Sequence, residues 1–538
     1  MNSVFYIISF LWLVRTLKAV LFWIYLWQLK EYHIGRFVDH FRTNKGKKIF
    51  FNGLFVTKVI LFLLMGAAYR LFPVLFLILF FLYMAEFLIA MHGAMQKSIK
   101  KPVFTFKTAL LTVISLALVA GYLFSGFNIQ DVFLFTAYIL ALDILLPLIV
   151  SGVVLLFQPF FVVVRNITLQ KARNKMAQLK HIKVIGITGS YGKTSTKEFL
   201  TAILAHKYNV ISTKDHQNSE MGIAKCILGD VSLKHEIFVV EMGAYKKGGI
   251  DLLCSLAKPQ IGIVTGVNQQ HLSLFGSMEN LLSAEGGDEL AQNLPLDGLL
   301  ILNGDNRWCA DLYKRTTLRK RIYTVKKDVM NADIWTEEIE MSQNSISFIA
   351  LSRDKQMAHF TLNMLGSHNV QNVLAAVLAA KELGMTLEEI AAAAKSIKQQ
   401  QSGIAVKPGI NGINIIDSSY SSNPDGVMAD LDYLKIFPGK RIIVMPCLIE
   451  LGNTSSETHY HIGKKIAQVC DLAIITTQDK FEDIRRGAIE GGMKESNIIF
   501  SEHPRDIFTL LKTFQNESDA VLLEGRVPGE LITLLHAQ

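Results

Sequence analysis

The apolar residues of this chain are crowded into its first part. Of 538 residues, those from 1 to about 160 hold nearly all the long apolar runs. The remainder alternates short apolar strands with amphipathic stretches, as a water-facing α/β chain does. Crossing the hydrocarbon core of a bilayer takes about 20 apolar residues in a helix. Five segments are candidates, at 4–28, 52–69, 73–93, 108–126 and 131–157. The second is short and carries Lys58. The first carries Arg15 and Lys18, charges that are costly at the bilayer centre, so tilting or snorkelling is expected there. No small-residue cleavage site follows the first run, which argues against a cleaved signal peptide.

The basic residues give an orientation. One loop holds Lys30, Arg36, Arg42, Lys45, Lys47 and Lys48, and another Lys97, Lys100, Lys101 and Lys107. The stretch after the fifth segment holds Arg165, Lys171, Arg173, Lys175 and Lys180, whereas the opposite loops hold Arg70 and little else. The positive-inside rule makes the basic stretches cytoplasmic. The expectation is a multi-pass protein of the cell membrane, with its N-terminus outside and everything after about 158 in the cytoplasm. The net charge of +9 is then largely topological. It anchors the chain to anionic headgroups and does not call for nucleic acid as a partner. Composition agrees, since 19% of residues are charged against about 25% in ordinary soluble domains. The five cysteines (Cys226, Cys254, Cys309, Cys447, Cys470) form no CxxC pair, so neither a disulfide framework nor a structural zinc site is expected.

The second part opens with a phosphate cradle. Residues 182–187 read as a buried parallel strand, and a helical pattern begins at Lys197. Between them stands Thr188-Gly189-Ser190-Tyr191-Gly192-Lys193-Thr194-Ser195-Thr196. Glycines let backbone N–H groups approach phosphate oxygens, and a helix N-terminus adds positive potential. Lys193 is placed to reach the β- and γ-phosphates of ATP, and the Thr194 hydroxyl to sit on Mg²⁺. The generic pattern has a glycine where Ile187 stands. A strand at 236–240 ends in Glu241, a carboxylate well placed to hold Mg²⁺ directly or through water. The strand at 261–267 ends in Asn268, with His271 three residues on as a candidate for metal or substrate binding.

These stretches together resemble the Mur ligases, the ATP-dependent amide-bond ligases of peptidoglycan precursor synthesis. GITGSYGKTSTKEF (186–199) is similar to their ATP-binding motif. VVEMGAYKKGGIDLL (239–253), VTGVNQQHLSLFGSMEN (264–280) and LNGDN (302–306) resemble their central domain. GSHNVQNVLAAVLAA (366–380), IIDSSYSSNPDGV (415–427) and LIELGNTSSETHYHIG (448–463) follow in the family's order. The nearest branch adds D-alanyl-D-alanine to a UDP-muramoyl tripeptide. The resemblance covers about 180–538. It implies ATP and Mg²⁺ as cofactors and an acyl-phosphate route to an amide. It implies nucleotide contacts from Gly189, Ser190, Gly192, Lys193, Thr194, Ser195, Asn372 and Asp417 or its neighbours. It implies metal contacts from Thr194, Glu241 and His271, and a substrate contact from Asn218. Lys193 and His271 become candidate catalytic residues.

The departures are informative. The family usually has a carbamylated lysine shortly after the SMEN-like stretch, and Glu285 falls at its place here. A glutamate already carries a carboxylate, so Glu285 is expected to stand in for the carbamate as a catalytic metal ligand, with Asp288 and Glu289 as rivals. Ile404 stands where the family has an arginine, and Arg526 is a candidate replacement charge. Pro446-Cys447 replaces a Gly-Asp pair. The family's soluble UDP-binding domain has no counterpart, and the membrane segments take its place.

The expected architecture is therefore a helical membrane domain followed by α/β domains. The divisions are a membrane domain at 1–157, a basic connecting helix at 158–181, a P-loop central domain at 182–365 with a strand-rich excursion at 321–362, and a Rossmann-like C-terminal domain at 366–538. The expected partners are the lipid bilayer, a muramoyl-peptide or lipid-linked acceptor, and an amino acid or dipeptide. The expected function is membrane-anchored, ATP-dependent amide ligation in cell-wall assembly. A ligase making a polyglutamate-like polymer for export and a non-catalytic ATP-binding scaffold are the alternatives.

Overall fold

The computed structural model describes residues 2–41, 43–67, 69–96, 99–126, 129–214, 217–326, 331–343, 345–397, 404–419 and 423–536. Arg42, Lys97 and Gly403 lie outside the described residues. The chain divides into two compact units, Met1–Asn166 and Ile167–Gln538.

The first unit is all helix. Among the described residues four helices are long and apolar enough to cross a membrane: Ile7–Leu29, Phe72–Met95, Phe106–Ser125 and Val132–Gln178. The second expected span is the helix Gly53–Ala67, only 15 residues long. At about 1.5 Å per residue it falls short of a hydrocarbon core about 30 Å thick. The fifth expected span and the basic connecting helix are continuous, because Val132–Gln178 runs as one 47-residue helix despite Pro147 and Pro159. Buried indoles find partners for their N–H groups. Trp12 Nε1 donates to the Ile139 carbonyl at 3.2 Å and Trp27 Nε1 to Ser151 Oγ at 3.0 Å.

Arg15 and Lys58, charges inside these apolar helices, pair with carboxylates there. Lys58 Nζ lies 2.6 Å from Glu86 and 2.8 Å from Asp143. Arg15 contacts Asp143 and lies 3.4 Å from Glu86. Four helices thus contribute two cations and two carboxylates to one neutral cluster. Uncompensated charge in such a setting is costly. Glu86→Leu is expected to destabilise the unit by about 3–5 kcal/mol. The double change Lys58→Met/Glu86→Leu restores neutrality and is expected to recover most of that loss, read as the midpoint of thermal aggregation in detergent.

The second unit contains two sheets. The first has nine strands in the spatial order Val210–Ser212, Ile237–Glu241, Lys183–Thr188, Ile261–Val264, Leu299–Asn303, Arg319–Thr324, Ile334–Met341, Ile346–Ser352 and Met357–Leu362. Pairing is parallel as far as Ile334–Met341 and antiparallel over the last three strands, which form the expected excursion. Apolar clusters cover both faces, as near-continuous apolar strands such as Ile237–Glu241 require.

The helices His368–Glu382 and Leu387–Ala394 were expected to open the C-terminal domain. They pack instead on the first sheet, beside the helix Lys193–Leu204. The first of them buries Val370, Val373, Leu374, Ala375 and most of the residues that follow, so it is covered nearly all round. The second sheet therefore begins only at Ala405–Pro408. Its order continues Asn414–Ser418, Ala520–Glu524, Arg441–Met445, Leu472–Ile475 and Ile498–Phe500, parallel except for the first hairpin. Both its faces are covered as well, giving the Rossmann-like layering expected from the strand spacing.

Candidate active site

The strand Lys183–Thr188 delivers the chain into a tight loop that ends in the helix Lys193–Leu204. Gly189 (φ 137°) and Gly192 (φ 75°) occupy backbone conformations that favour glycine. Space forbids a side chain too: a Cβ on Gly192 would meet Asn372 Oδ1 at 2.3 Å. That close approach brings Asn372, from the helix His368–Glu382, onto the loop. Lys193 Nζ is folded back over the loop, 2.5 Å from the Gly189 carbonyl and 3.4 Å from that of Ser190.

Glu241 ends the strand adjacent to the loop's own strand. Its Oε1 accepts from Thr194 Oγ1 and from Asn218 Nδ2, each at 3.0 Å. Lys197 Nζ lies 3.3 Å from Oε2. One helical turn after Thr194, this lysine is 2% exposed, and the sequence reading did not single it out. Its position in the motif carried the signal, since residues 194 and 197 share a helix face.

Glu285 is buried between the loop and His271. Its Oε1 lies 2.8 Å from His271 Nδ1, and its Oε2 accepts from Ser190 Oγ at 2.7 Å. Burial alone would push its pKa up, but His271, Lys193 and Ser190 together hold it below the usual glutamate value. The rivals have other work. Glu289 accepts from the N–H groups of Gly248, Ile250 and Asp251 at 2.7, 2.9 and 3.1 Å, capping the helix Gly249–Ala257. Asp288 pairs with Arg315 at 2.9 Å. Glu289→Gln is expected to cost about 1–3 kcal/mol of local stability, seen as faster amide hydrogen exchange across 249–257.

Glu241, Glu285, His271 and the phosphate loop line a cavity of about 1000 Å³. The first sheet contributes Ser190, Gly192, Lys193, Thr194, Ser195, Asn218, Glu241, His271 and Glu285, and Asn372 joins them. From the second-sheet side come Ile404, Ser418, Asp425, Asp430 and Arg526. Asn268 bridges the two sides, its Nδ2 donating to Asn423 Oδ1 at 3.1 Å and to Asp425 Oδ2 at 2.9 Å. Asp417 is turned away into a local turn, accepting from Ser419 N at 3.1 Å and Ser419 Oγ at 2.5 Å, and its neighbour Ser418 faces the cavity. Arg526 does reach the cavity, where it is exposed. Cys447 is buried, its Sγ donating to the Thr477 carbonyl and accepting from the Lys480 N–H.

Thr194 and Glu241 offer hydroxyl and carboxylate oxygens, hard ligands that suit Mg²⁺, beside the ammonium group of Lys197. Among the described residues no group of three or more His, Cys, Asp and Glu side chains could hold a metal. A Mg²⁺ ion bound here would share its coordination with nucleotide phosphates, as P-loop sites do.

Comparison with known proteins agrees with this geometry. Residues 187–380 match the Mur ligase middle domain, and residues 404–527 match the Mur ligase, glutamate ligase domain. The UDP-N-acetylmuramoyl-tripeptide–D-alanyl-D-alanine ligase of Mycobacterium tuberculosis is 28% identical over 363 residues, covering 65% of this chain and 69% of that one. The Bacillus subtilis enzyme of the same name is 27% identical over 359 residues, covering 66% and 76%. The crystal structure of MurF from Acinetobacter baumannii superposes with a TM-score of 0.61 at 25% identity, covering 69% of this chain and 80% of that one. MurF from Thermotoga maritima, solved with ADP, shares the fold with a TM-score of 0.60 at 24% identity, covering 69% and 83%. The cradle, the two sheets and the matched domains make this chain a member of the Mur ligase family of ATP-dependent ligases.

Proposed function

We propose that this chain is a membrane-anchored ligase that joins a muramoyl-peptide carboxylate to an amine, D-alanyl-D-alanine or a similar dipeptide or amino acid, during cell-wall precursor assembly. The apolar helices hold it in the cell membrane as a multi-pass protein, with residues after about 167 in the cytoplasm. Anchoring suits a lipid-linked carboxylate, because confining both partners to one surface raises their effective concentration. The observation that carries the reading is the pair of carboxylates flanking the phosphate loop. Glu241 is shared by Thr194 and Asn218, and Glu285 by Ser190 and His271.

A carboxylate is a poor electrophile, and its attack on the γ-phosphate of ATP brings two anions together. The protein must supply cation density and alignment for that step. Lys193 exchanges the carbonyls of Gly189 and Ser190 for phosphate oxygens. Gly189, Gly192, Ser190 and Ser195 cradle the phosphates, and Asn372 abuts the nucleotide side of the loop. Asn218 contacts substrate. Thr194 and Glu241 on one side of the loop, and His271 and Glu285 on the other, are the side chains that would hold Mg²⁺, which would supply charge neutralisation. Glu285 takes the place of a carbamylated lysine, so the site needs no CO₂. The amine then attacks the acyl phosphate, and the tetrahedral intermediate collapses to the amide with loss of phosphate.

The test is phosphate release from Mg-ATP by the full-length protein in lipid, with UDP-muramoyl tripeptide or its lipid-linked form as carboxylate and D-alanyl-D-alanine as amine. Release that requires both substrates, vanishes in Lys193→Ala and is indifferent to bicarbonate supports the reading. Release stimulated only by glutamate would point to a polymer-forming ligase. Silence with every carboxylate would leave an ATP-binding scaffold.

A further inference from the structure

Across the cavity from the phosphate loop lies a group of polar atoms that the mechanism above does not use. Ser418 and Glu524 end neighbouring parallel strands and stand side by side in register. Asp430 comes from the helix Pro424–Leu434, and Ser418 Oγ donates to its Oδ2 at 2.5 Å. Asp430 is 3% exposed and Glu524 1%. Glu524 lies within hydrogen-bonding reach of both Asp430 and Ser418, and apart from these contacts no protein donor reaches Asp430 Oδ1. His368 Nδ1, itself without a hydrogen-bond partner, lies 3.9 Å from Asp430 Oδ1, beyond bonding reach. Asp430, Ser418 and His368 line the cavity, and Arg526 and Asp425 are the other charged side chains on this side of it.

Two buried carboxyls in contact cannot both be ionised. Burial and the neighbouring Asp430 push the Glu524 pKa far above the usual range, so the pair carries one proton. Asp430 lines the cavity and carries the pair's one negative charge, which favours a ligand that brings a hydrogen-bond donor. The donor would have to be cationic, small and rich in N–H groups. The reaction supplies one. The amine substrate is an ammonium ion in neutral water, and it must lose a proton before its nitrogen can attack.

Resting on the ligase reading above, we propose that Asp430 receives the ammonium group of the incoming amine and takes its proton, with Glu524 and Ser418 as positioning residues. One N–H proton passes to Asp430, and the freed lone pair forms the C–N bond at the acyl carbon. The C–O bond to phosphate then breaks, and the second N–H proton leaves with the departing group as hydrogen phosphate. The pair resets by releasing its extra proton to water. Arg526 faces the same space, and its positive charge disfavours an ammonium ion bound anywhere but against the carboxylates.

The test separates the two half-reactions. The full-length protein in lipid is given Mg-ATP and UDP-muramoyl tripeptide, with either D-alanyl-D-alanine or hydroxylamine as nucleophile. Hydroxylamine is largely unprotonated at neutral pH and needs no base to trap an acyl phosphate. Asp430→Asn is expected to leave hydroxamate formation within about twofold of wild type. It should slow amide formation by about 10²-fold or more, the usual contribution of a general base. Raising the pH past about 8, where an α-amino group is itself neutral, should recover much of the loss. Glu524→Gln, which keeps shape and burial, should slow the amide step at least about tenfold and shift its acid limb. Equal loss of hydroxamate and amide in both variants, or no loss of amide in either, would overturn the proposal. Failure of the wild type to form hydroxamate from either the UDP-linked or the lipid-linked carboxylate would remove the ligase reading itself.

Discussion

Lys193→Ala is expected to reduce ATP-dependent turnover by at least about 10²-fold and up to about 10³-fold, the cost of removing one strong donor from a preorganised anion site. The residue heads the helix Lys193–Leu204, and its ammonium group already lies over the loop carbonyls of Gly189 and Ser190. It needs only to exchange those acceptors for phosphate oxygens. Lys193→Met keeps most of the apolar stem and removes the charge, so it should be as inactive as the alanine variant. Recovery of activity in Lys193→Met would mean that the stem packs the loop and the charge is dispensable. The assay is phosphate release at saturating ATP, with nucleotide binding measured separately to divide affinity from rate.

Glu285→Ala is expected to lower turnover by about 10²-fold, with or without bicarbonate. The change leaves the Ser190 hydroxyl and His271 facing a void where a buried carboxylate stood. Glu285→Gln separates charge from shape, since it fills the same space without the negative charge, and it should be nearly as impaired. Glu285→Lys should be inactive in the absence of bicarbonate. The pH dependence has a definite sign. The folded pKa of Glu285 lies below its ordinary value of 4.5. Its contribution to stability is therefore complete above that value and is lost as the pH falls through the folded pKa. Glu285→Gln should make the protein less sensitive to acid, as a smaller drop in apparent Tm on going from neutral pH to pH values below about 4.

Much of the site was legible because its residues lie in short, local runs. Gly189 to Ser195 form one loop and the first turn of the helix after it, Glu241 ends its strand, and Asn268 lies four residues beyond the end of the strand Ile261–Val264. Such positions follow from strand and helix periodicity, with little help from the rest of the chain. Glu285 was harder to read, since Asp288 and Glu289 stood nearby with the same charge. What distinguished them was where each carboxylate goes: Glu289 to the N–H groups of 248–251, Asp288 to Arg315, and Glu285 to Ser190 and His271. Lys197 was marked only by its place one turn after Thr194, and Asp430 and Glu524 carried no local mark. Their partners lie 44, 12 and 94 to 106 residues away along the chain, and only packing brings them together.

The sequence by itself determined the division into apolar and α/β parts, the phosphate loop and the order of the strands along the chain. These depend on hydrophobic period, on glycines where the backbone turns sharply and on charge at helix ends, all properties of neighbouring residues. Tertiary structure decided three further matters. It joined the last long apolar run and the basic stretch into one helix, Val132–Gln178. It placed the helix His368–Glu382 on the first sheet rather than the second, because a helix apolar all round can bury itself against either. And it neutralised Arg15 and Lys58 with Glu86 and Asp143, charges that local sequence could only mark as costly. In each case the deciding energy came from contacts between residues far apart in the chain, and those contacts exist only once the chain has folded.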